Sequence, residues 1–512
     1  MNERYQEHVA LWRYVDDCYA GAQRVKFGPN ALEYLPIQPL EREELNTRGV
    51  QFDHSRYAFR RKIATYENFF RPIIDDVVGL MQRNPATVRF GMTCDEESAP
   101  EVVKLKDWGN AFNDGLAGLK NRLNFAQILY GRYGMLLDVQ TDRAGLNPSF
   151  KIVEYDPRKI LDGQVEHERA NQFDALRWVL LDESTKLFDP DQKTWRFHPK
   201  WRLLALDRRG MYYVAIFQGD AIQEQWRNFE LLRPDKRMAV YPNFKGKILD
   251  FIPFTVCNVE RLGVQNWSRP PYLDVARLAI ENYVVDSWYK MGLYFHATPT
   301  LAVCNATRES NDVRLGGVVW PKSSGGAPVT VSILETSGRG LAELRNAKEE
   351  LKSVLRYTSI RDLLEHAGAN SSSDSLRIRT TAGTVSVAAI DRTGARAIEE
   401  QLCFASIWSG ATVEQTRQRI SYQPDVTYLG AEFQMDAAVE LLKTNYETRA
   451  LSNRSAYAFL ERAAPGVLPS YDDNVRQIQE ERGALQPNGE RSTPKTQESD
   501  DITPLTNQKE EK

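Results

Sequence analysis

Two long helical patterns with a short strand-type segment between them set the strongest limit on the architecture of this chain. After two consecutive prolines, which favour a helix start, apolar residues recur at helical spacing from Leu273 to Phe295. A second pattern of this kind begins at Leu341. Between them, TLAVCN and RLGGVVWPKSSGGAPVTVSIL are typical of short strands joined by glycine turns. Such long apolar stripes need more buried surface than one chain supplies, so we expect several copies to associate, and charge at Ile280 or Leu351 to weaken the assembly.

The chain is predicted to begin with a helix followed by an arm. Apolar residues at helical spacing predict a helix from residue 3 to about residue 20. The next segment is punctuated by Gly28, Pro29, Pro36 and Pro39, and we expect it to be extended and to wrap the surface.

Two more helices and a strand-rich block are predicted ahead of the first long helix. One helix begins near Tyr57, contains Pro72 as a kink or a new first turn, and ends before Pro85. The other runs from about residue 107 to residue 130, where glycines break the pattern before a short strand, MLLDV. Five further runs have the strand pattern: FKIVEYD, ALRWVLLDE, KWRLLALD, MYYVAIFQ and FIPFTVCNV.

A polar loop and a third long helix follow the second helical pattern. The segment HAGANSSSDS is small and polar, so it cannot bury itself and is expected to be a mobile loop. It leads into a helix from about Asp374 to Ile407, which Gly383 and Gly394 are expected to interrupt. Two or more short helices are then predicted, and the polar tail after Glu480 is expected to be disordered.

The composition bounds the class of protein. A chain of 512 residues that is 42% hydrophobic can bury more than one core, since single cores stop growing near roughly 250–300 residues. The net charge of -3 is not that of a protein that grips nucleic acid tightly. The five cysteines lie far apart, without metal-ligand spacing. Because no apolar run approaches the roughly 18 residues of a membrane span and no signal-peptide pattern occurs, we expect a soluble intracellular protein.

The sequence shows no pattern for catalysis, for a cofactor or for a metal. It contains no phosphate-binding glycine loop, dinucleotide fingerprint, zinc-protease motif or nucleophile elbow, and its six histidines are isolated from one another. Three pairs of adjacent aspartates could hold Mg²⁺, but neighbouring acids on a helix point in different directions and usually lie on its solvated face. These pairs are Asp16/Asp17, Asp75/Asp76 and Asp472/Asp473. We therefore expect no catalytic residue, no cofactor and no metal.

The start of the third long helix has a functional and a plain interpretation. The serines of HAGANSSSDS have no neighbouring Lys or His to activate a nucleophile, which favours a flexible loop. Arg377 and Arg379 could contact phosphate, although a helix that also carries Asp374 is more often simply solvated.

The ten tryptophans are scattered along the chain, which favours core and interface packing over a base-stacking platform. Trp320 is the exception, because it lies beside Pro321 and Lys322 in a short turn-rich module. An exposed aromatic there would suit a partner surface, and packing inside the module is equally compatible.

Several stretches share their order and pattern with one protein family. They are ATYENFFRPIIDDVVGLMQRNP, ILYGRYGMLLDVQTD, IPFTVCNVERLG with PPYLDVARLAIENYVVDSWYKMGLYFHATPTLAV, SLRIRTTAGTVSVAAIDRTGARAIEEQL and AEFQMDAAVELLKTNYETRALSNRSAYAFL. These stretches resemble parts of tailed-bacteriophage portal proteins. In this order they are similar to the helix ahead of the wing, the turn into a wing strand, the first stem helix with its exit into the clip, the helix after the tunnel loop, and the segment near the crown. The resemblance covers about residues 57 to 480, and the stem-helix stretch is its most specific part.

The resemblance implies an α+β portal fold. That fold has a strand-rich wing, two long stem helices flanking a small β-containing clip, a tunnel loop with a long helix, and a helical crown. The implied segments are an N-terminal arm (1–54), the wing (55–260), the first stem helix (261–297), the clip (298–335), the second stem helix (336–365), the tunnel loop with the long wing helix (366–420), a crown-like helical region (421–482) and a disordered tail (483–512).

The resemblance also assigns two groups of residues. The loop that faces DNA in the channel would comprise His366, Gly368, Asn370, Ser371, Ser372, Ser373, Asp374 and Arg377. The clip and its partner surface would include Arg308, Arg314, Trp320 and Lys322. Small hydroxyl and backbone groups touch phosphate only weakly, so such a loop would guide or retain DNA without cleaving it.

The function implied is that of a non-enzymatic portal protein. Portal subunits form a ring, dodecameric in the family, through which double-stranded DNA enters and leaves the virion head. The ring docks terminase, major capsid or scaffold protein and then a head-tail adaptor. It lies at the head-tail vertex of the virion, and during assembly it is in the host cytoplasm. No membrane is involved. A near-neutral to acidic chain suits a channel, because long-lived Lys or Arg contacts to phosphate would act as brakes. The alternative is an intracellular, phage-derived metal-dependent nuclease that uses some of the scattered acids.

Overall fold

The greater part of the chain is described by a computed structural model. The described residues are 3–47, 51–83, 85–90, 100–108, 112, 114–141, 148–166, 176–189, 193–235, 237–297, 300–304, 330–334, 339–357, 373–413, 416, 420–426 and 476. The chain divides into two compact units, Met1–Tyr428 and Leu429–Lys512. Within the second unit the described part is Arg476, which is helical.

Four helices form the N-terminal segment. They are α1 (Glu3–Ala20), α2 (Ala22–Phe27), α3 (Ala31–Tyr34) and α4 (Pro39–Thr47). The predicted first helix is therefore confirmed, whereas the extended arm predicted from the glycines and prolines is wrong. The buried Asp17 carboxylate accepts hydrogen bonds from Asn30 and Tyr34 and pairs with Arg24 at 2.6 Å. These contacts across the turns fold the segment back onto α1, and punctuation by Gly and Pro does not reveal them.

A buried ion pair fixes α4 to the body of the protein. The next helices are α5 (Arg56–Ile63) and α6 (Phe70–Gln82). Arg60 donates two hydrogen bonds to Glu41, of 2.7 and 2.8 Å, and one each to the Pro36 carbonyl and the Ser287 hydroxyl. The two partners are almost fully buried, so loss of either would leave an unpaired charge in the interior. Pro72 lies in the first turn of α6, which confirms one of the two predicted alternatives.

The single helix predicted near residues 107–130 is two helices. These are α7 (Pro100–Trp108) and α8 (Gly115–Tyr130). Gly115 has a φ of 68°, and a Cβ there would lie 2.5 Å from the Lys106 carbonyl oxygen. Only glycine fits this close turn, so the helical pattern is broken where the sequence shows apolar spacing on both sides.

The strand-rich block forms three antiparallel sheets. Its elements are β2 (Arg132–Thr141), β3 (Pro148–Tyr155), β4 (Ile160–Val165), β5 (Leu176–Asp182), β6 (Thr185–Asp189), β7 (Thr194–His198), β8 (Lys200–Leu206), β9 (Tyr212–Gln218), α9 (Ile222–Arg227), β10 (Ala239–Val240) and β11 (Phe254–Asn258). The strand orders are β10-β9-β8-β5-β4, β11-β2-β3 and β6-β7. All five runs with the strand pattern, and MLLDV within β2, are confirmed as strands. A fourth sheet joins β1 (Thr87–Phe90) to β14 (Ile420–Gln423).

The long helices lie where the sequence predicts them. They are α10 (Leu273–Ala297), α11 (Arg339–Tyr357) and α12 (Ser373–Trp408), and the paired strands β12 (Thr300–Cys304) and β13 (Thr330–Leu334) lie between the first two in the chain. The predicted interruption of the last helix is wrong, since α12 is continuous. A Cβ at Gly394 would lie 2.6 Å from Gln127 Oε1 of α8. Glycine here allows two helices to approach closely, and the helix continues through it.

The core of the first unit lies where α8 and α12 meet the β11-β2-β3 sheet. Large side chains of α12, among them Phe404 and Trp408, are buried there, and Trp408 donates a hydrogen bond of 3.0 Å to the Lys247 carbonyl. Mixed helices and antiparallel sheets confirm the predicted α+β class.

Candidate functional site

The helices α10 and α11 form an antiparallel pair, and the C-terminal end of α10 packs closely against the N-terminal end of α11. A Cβ at Gly292 of α10 would lie 2.6 Å from the Leu341 side chain of α11. Six residues earlier in α10, Asp286 contacts Lys348, which lies seven residues later in α11. Ridge and groove contacts over two turns therefore align the helices side by side.

A buried ionic cluster joins this pair to the segment between α5 and α6. Asp286, with no exposed side-chain surface, accepts a hydrogen bond of 2.7 Å from the Thr65 N–H and pairs with Lys348 and, at 3.3 Å, with Lys290. Glu67 extends the cluster, at 3.5 Å from Lys348. Three elements far apart in sequence are thus joined through one carboxylate.

The charge of this cluster is stabilised by its own hydrogen bonds. Burial alone would raise the pKa of Asp286, but hydrogen bonds from Lys348 and the Thr65 N–H and the attraction of Lys348 and Lys290 outweigh it, so the pKa lies below its usual value. Burial alone would lower the pKa of Lys348, and the bonds to Asp286 and Glu67 outweigh that as well, so its pKa is raised. Both groups are therefore ionised at neutral pH.

The glycine-rich turn GRYG holds the segment that leads into α10. Gly131 has a φ of 78°, and a Cβ there would lie 2.6 Å from the Arg269 carbonyl oxygen. Arg132 is buried, donates to the Val264 carbonyl at 2.9 Å, and stacks its guanidinium 3.9 Å from the centre of the Trp267 ring. Burial lowers the pKa of Arg132 to about 9. This turn positions the start of the long helix.

The two halves of α10 differ in exposure. The first half is buried in its own chain, and Ile280 is only 8% exposed. The expectation that Ile280 lies between copies is therefore wrong, because α10 packs against α1, α5, α6 and α11 of its own chain.

The last turns of α10 and the adjoining helices expose apolar side chains, which we name the stem patch. Tyr294 packs against Phe59 of α5 with ring centroids 4.9 Å apart. The members of the patch, with their exposed fractions, are Phe59 37%, Trp288 43%, Leu293 40%, Tyr294 41%, Phe295 51% and Val354 47%. These six side chains are candidates for an interaction surface, since large patches of exposed apolar surface mark such sites.

A polar seam fixes α12 to α8. Lys120 pairs with Asp391 at 3.3 Å, and both side chains are at most 5% exposed. Asn124, one turn further along α8, donates to the same carboxylate at 3.2 Å, and Gln127 donates to the Ile390 and Asn258 carbonyls. The seam orients α12, whose N-terminal end carries the residues predicted to face DNA.

The predicted loop and clip residues fall mostly outside the described residues. Residues 366–372 and the predicted partner residues Arg308, Arg314, Trp320 and Lys322 lie there. Ser373, Asp374 and Arg377 lie in the first turns of α12, where the backbone is helical. Their assignment to a DNA channel stays a prediction.

Two of the three acidic pairs lie within the described residues and make polar contacts there, whereas Asp472 and Asp473 lie outside them. Asp17 is buried and anchors the N-terminal helices, so the expectation of a solvated pair is wrong for this residue. Asp16 accepts a hydrogen bond from Tyr130 and pairs with Arg158 at 2.7 Å, and Asp75 accepts from Tyr19. Within the described ranges, no group of three or more His, Cys, Asp or Glu side chains could hold a metal ion.

Two further properties concern the described part of the chain. Three of its cysteines, Cys18, Cys257 and Cys403, are buried and form no disulfide, and burial raises the pKa of Cys18 to about 12. No helix that the structure describes is long and apolar enough to cross a membrane.

The ionic cluster was not predicted from the sequence, although the sequence carries a signal for it. Asp286 follows Ala279 and Tyr283 at helical spacing, so it lies on the buried stripe of α10. A charged residue on such a stripe needs a partner, and Lys348 and Lys352 are spaced by four residues on the next long helix. What the sequence does not give is which of the many lysines meets this carboxylate.

Comparisons with known proteins find distant similarity to chains of gene transfer agent particles. No protein-family profile and no curated protein matches the sequence. A chain in the neck of a native gene transfer agent particle, computed with C12 symmetry, is 12% identical with a TM-score of 0.37, over 81% of this chain and 93% of that chain. A chain in the virion of the native particle is 12% identical with a TM-score of 0.36, over 79% and 92%. A chain in the neck of the empty particle, computed with C6 symmetry, is 13% identical with a TM-score of 0.37, over 77% and 90%.

Proposed function

We propose that this chain is a portal-type subunit: several identical copies form a ring that conducts double-stranded DNA at the head-tail vertex of a phage-like particle. The observation that carries the proposal is the antiparallel α10–α11 pair, which is fixed by a buried ionic cluster and leaves the stem patch exposed. A rigid helix pair with an apolar surface that its own chain does not cover is suited to packing beside a second copy.

We propose a ring rather than an isologous dimer because of the resemblance to portal proteins, and this ring would use the stem patch. Its members lie on three helices of the same chain, and α10 and α11 run side by side. In a head-to-tail contact, one side of such a pair meets the opposite side of the next pair, and a fixed rotation between copies closes the ring. The dodecameric state known in the family is the number we propose.

The order of elements supports the assignment of parts. In the proposal α10 and α11 are the two stem helices, β12 and β13 belong to the clip between them, and α12 is the long helix after the tunnel loop. The loop residues His366 to Arg377 would then face DNA. The polar seam would hold α12 in place beside the DNA path, since paired buried charges resist displacement.

The remaining parts of the proposal follow from the same role. The ring would dock terminase, capsid or scaffold protein and a head-tail adaptor, with Arg308, Arg314, Trp320 and Lys322 on the clip surface. It would have no catalytic activity and would be assembled in the host cytoplasm. The nuclease alternative is not proposed, because no observation on the described residues favours it.

A paired set of variants tests the stem patch. Replacing Trp288 and Phe295 by Glu should abolish assembly at micromolar concentration, because burying unpaired carboxylates at an interface is strongly unfavourable. The control is Leu40→Glu, since Leu40 lies on α4 and is 70% exposed. Sedimentation velocity reports the assembly state, and circular dichroism checks that each variant is folded. Unchanged assembly of the Trp288/Phe295 variant would exclude the patch as the ring interface.

A further inference from the structure

A two-stranded ribbon extends beyond the five-stranded sheet. The pairing of β5 with β8 ends at Asp182 and Trp201, and after a short bend β6 and β7 pair from Thr185 with His198 to Asp189 with Thr194. The same two chain segments thus continue outward as a separate ribbon, which we name the arm. Five residues at ~3.4 Å each give it a length of about 17 Å.

The base of the arm is fixed by polar contacts. Glu183 donates its N–H to the Lys200 carbonyl at 2.8 Å, and Ser184 Oγ accepts from the Lys200 N–H at 3.0 Å. The Glu183 carboxylate also pairs with Lys200 at 2.7 Å and with Arg202 at 3.4 Å. The arm therefore leaves the sheet in a defined direction.

One face of the arm is aromatic and uncovered. Because side chains alternate between the faces of a strand, Phe188, Trp195 and Phe197 lie on one face together with Lys186. These three rings are 49%, 69% and 61% exposed, and the rings of Phe188 and Trp195 lie 5.5 Å apart in an edge contact. An isolated two-stranded ribbon is marginally stable in water, so its form favours a surface that covers it.

The composition of this face is that of a protein interface. Trp, Phe and Arg are enriched in the buried centres of interfaces, and Trp and Arg are the commonest anchors. Phe188, Trp195 and Phe197 give this face its aromatic content, whereas Arg196 lies on the opposite face with Leu187.

We infer that the arm is an assembly element whose aromatic face packs on a second copy of this chain, and this inference rests on the proposed ring. The area decides between occupants. With large aromatic side chains of ~150–250 Å² each, the three exposed fractions leave roughly 350 Å² uncovered. A stable interface buries about 800 Å² on each partner, so the arm is too small to hold a separate protein by itself. A neighbouring copy that is already held through the stem patch satisfies this requirement, and the arm adds to that contact.

The test replaces the two exposed rings of β7, Trp195 and Phe197. In full-length protein, Trp195→Ser/Phe197→Ser should raise the concentration of half-assembly at least tenfold, as measured by sedimentation velocity. The matched control is Leu187→Ser, which removes a 53% exposed apolar side chain from the opposite face of the same arm and should leave that concentration unchanged. A second measurement places a photo-crosslinking amino acid at position 197. Irradiation of the assembled protein should give covalently linked dimers.

The outcomes separate the arm from the ring. If the wild-type chain assembles and the double variant assembles equally well, the arm inference is overturned while the ring stands. If cross-links form only within one chain, or only to added double-stranded DNA, the second copy is not the occupant. A wild-type chain that stays monomeric at every concentration overturns both.

Discussion

Replacing Asp286 by Asn should destabilise the protein through the buried ionic cluster. The change keeps the shape of the side chain but removes the charge that Lys348 and Lys290 neutralise. Hydrogen bonds to charged groups contribute about 1.5–3 kcal/mol each, and breaking a buried pair costs about 3–5 kcal/mol. Since the two lysine side chains are 13% and 32% exposed, water recovers part of the loss. We expect a net decrease of about 2–4 kcal/mol in the free energy of unfolding.

Urea unfolding followed by circular dichroism, at a protein concentration where wild type and variant have the same assembly state, measures this decrease. Asp274→Asn is the control, because Asp274 lies on the same helix with its side chain 90% exposed, and its loss should not shift the midpoint. A double-mutant cycle with Lys348→Met isolates the pair: the two changes together should cost clearly less than their sum. If Asp286→Asn unfolds at the same urea concentration as the control, the cluster does not hold the helices together.

Three further predictions concern the described fold and the channel. The pKa of Asp286 is lower in the folded protein than in the unfolded chain, where it is about 3.9. The ionised carboxylate should therefore contribute fully to the free energy of unfolding above pH ~3.9, and this contribution should be lost as the pH falls through the lower folded pKa. The urea midpoints of wild type and Asp286→Asn should then converge in acid. Gly131→Ala should lower the free energy of unfolding by about 1–3 kcal/mol through backbone strain. Gly79→Ala, in open space on α6, should raise it by about 0.5–1 kcal/mol. Equal urea midpoints for the two variants would contradict both predictions. Replacing Ser371–Ser373 by Lys should slow DNA packaging most at low salt, where phosphate attraction is strongest, and a normal packaging rate at low salt would place the loop away from DNA.

Elements that depend on local pattern could be predicted from the sequence. The strands β5, β8 and β9 and the helices α10 and α12 lie where runs and repeats of apolar residues predict them, because each buries apolar side chains in the core. The extended arm predicted around Gly28 and Pro36 was wrong because its structure does not depend on local pattern. The structure there depends on Asp17 and on Arg60, which meet partners across turns or from other helices.

The candidate site could be predicted only in part. Both long helices and their order were visible in the sequence, but the division of α10 into a buried half and an exposed end was not. Apolar spacing is the same around Ile280 and Trp288, and the surrounding helices alone decide which is covered. The arm shows the same limit: TWRFH alternates like any strand, and its complete exposure depends on where the sheet ends.

The central claim is that copies of this chain form a closed ring with an axial channel. Negative-stain microscopy of the purified full-length protein, with native mass measured on the same sample, tests it most directly. We expect ring-shaped particles with a central hole and a mass that is a large multiple of 58.6 kDa, twelvefold if the family number holds. A strictly monomeric species of 58.6 kDa across micromolar concentrations and a range of salts would contradict it.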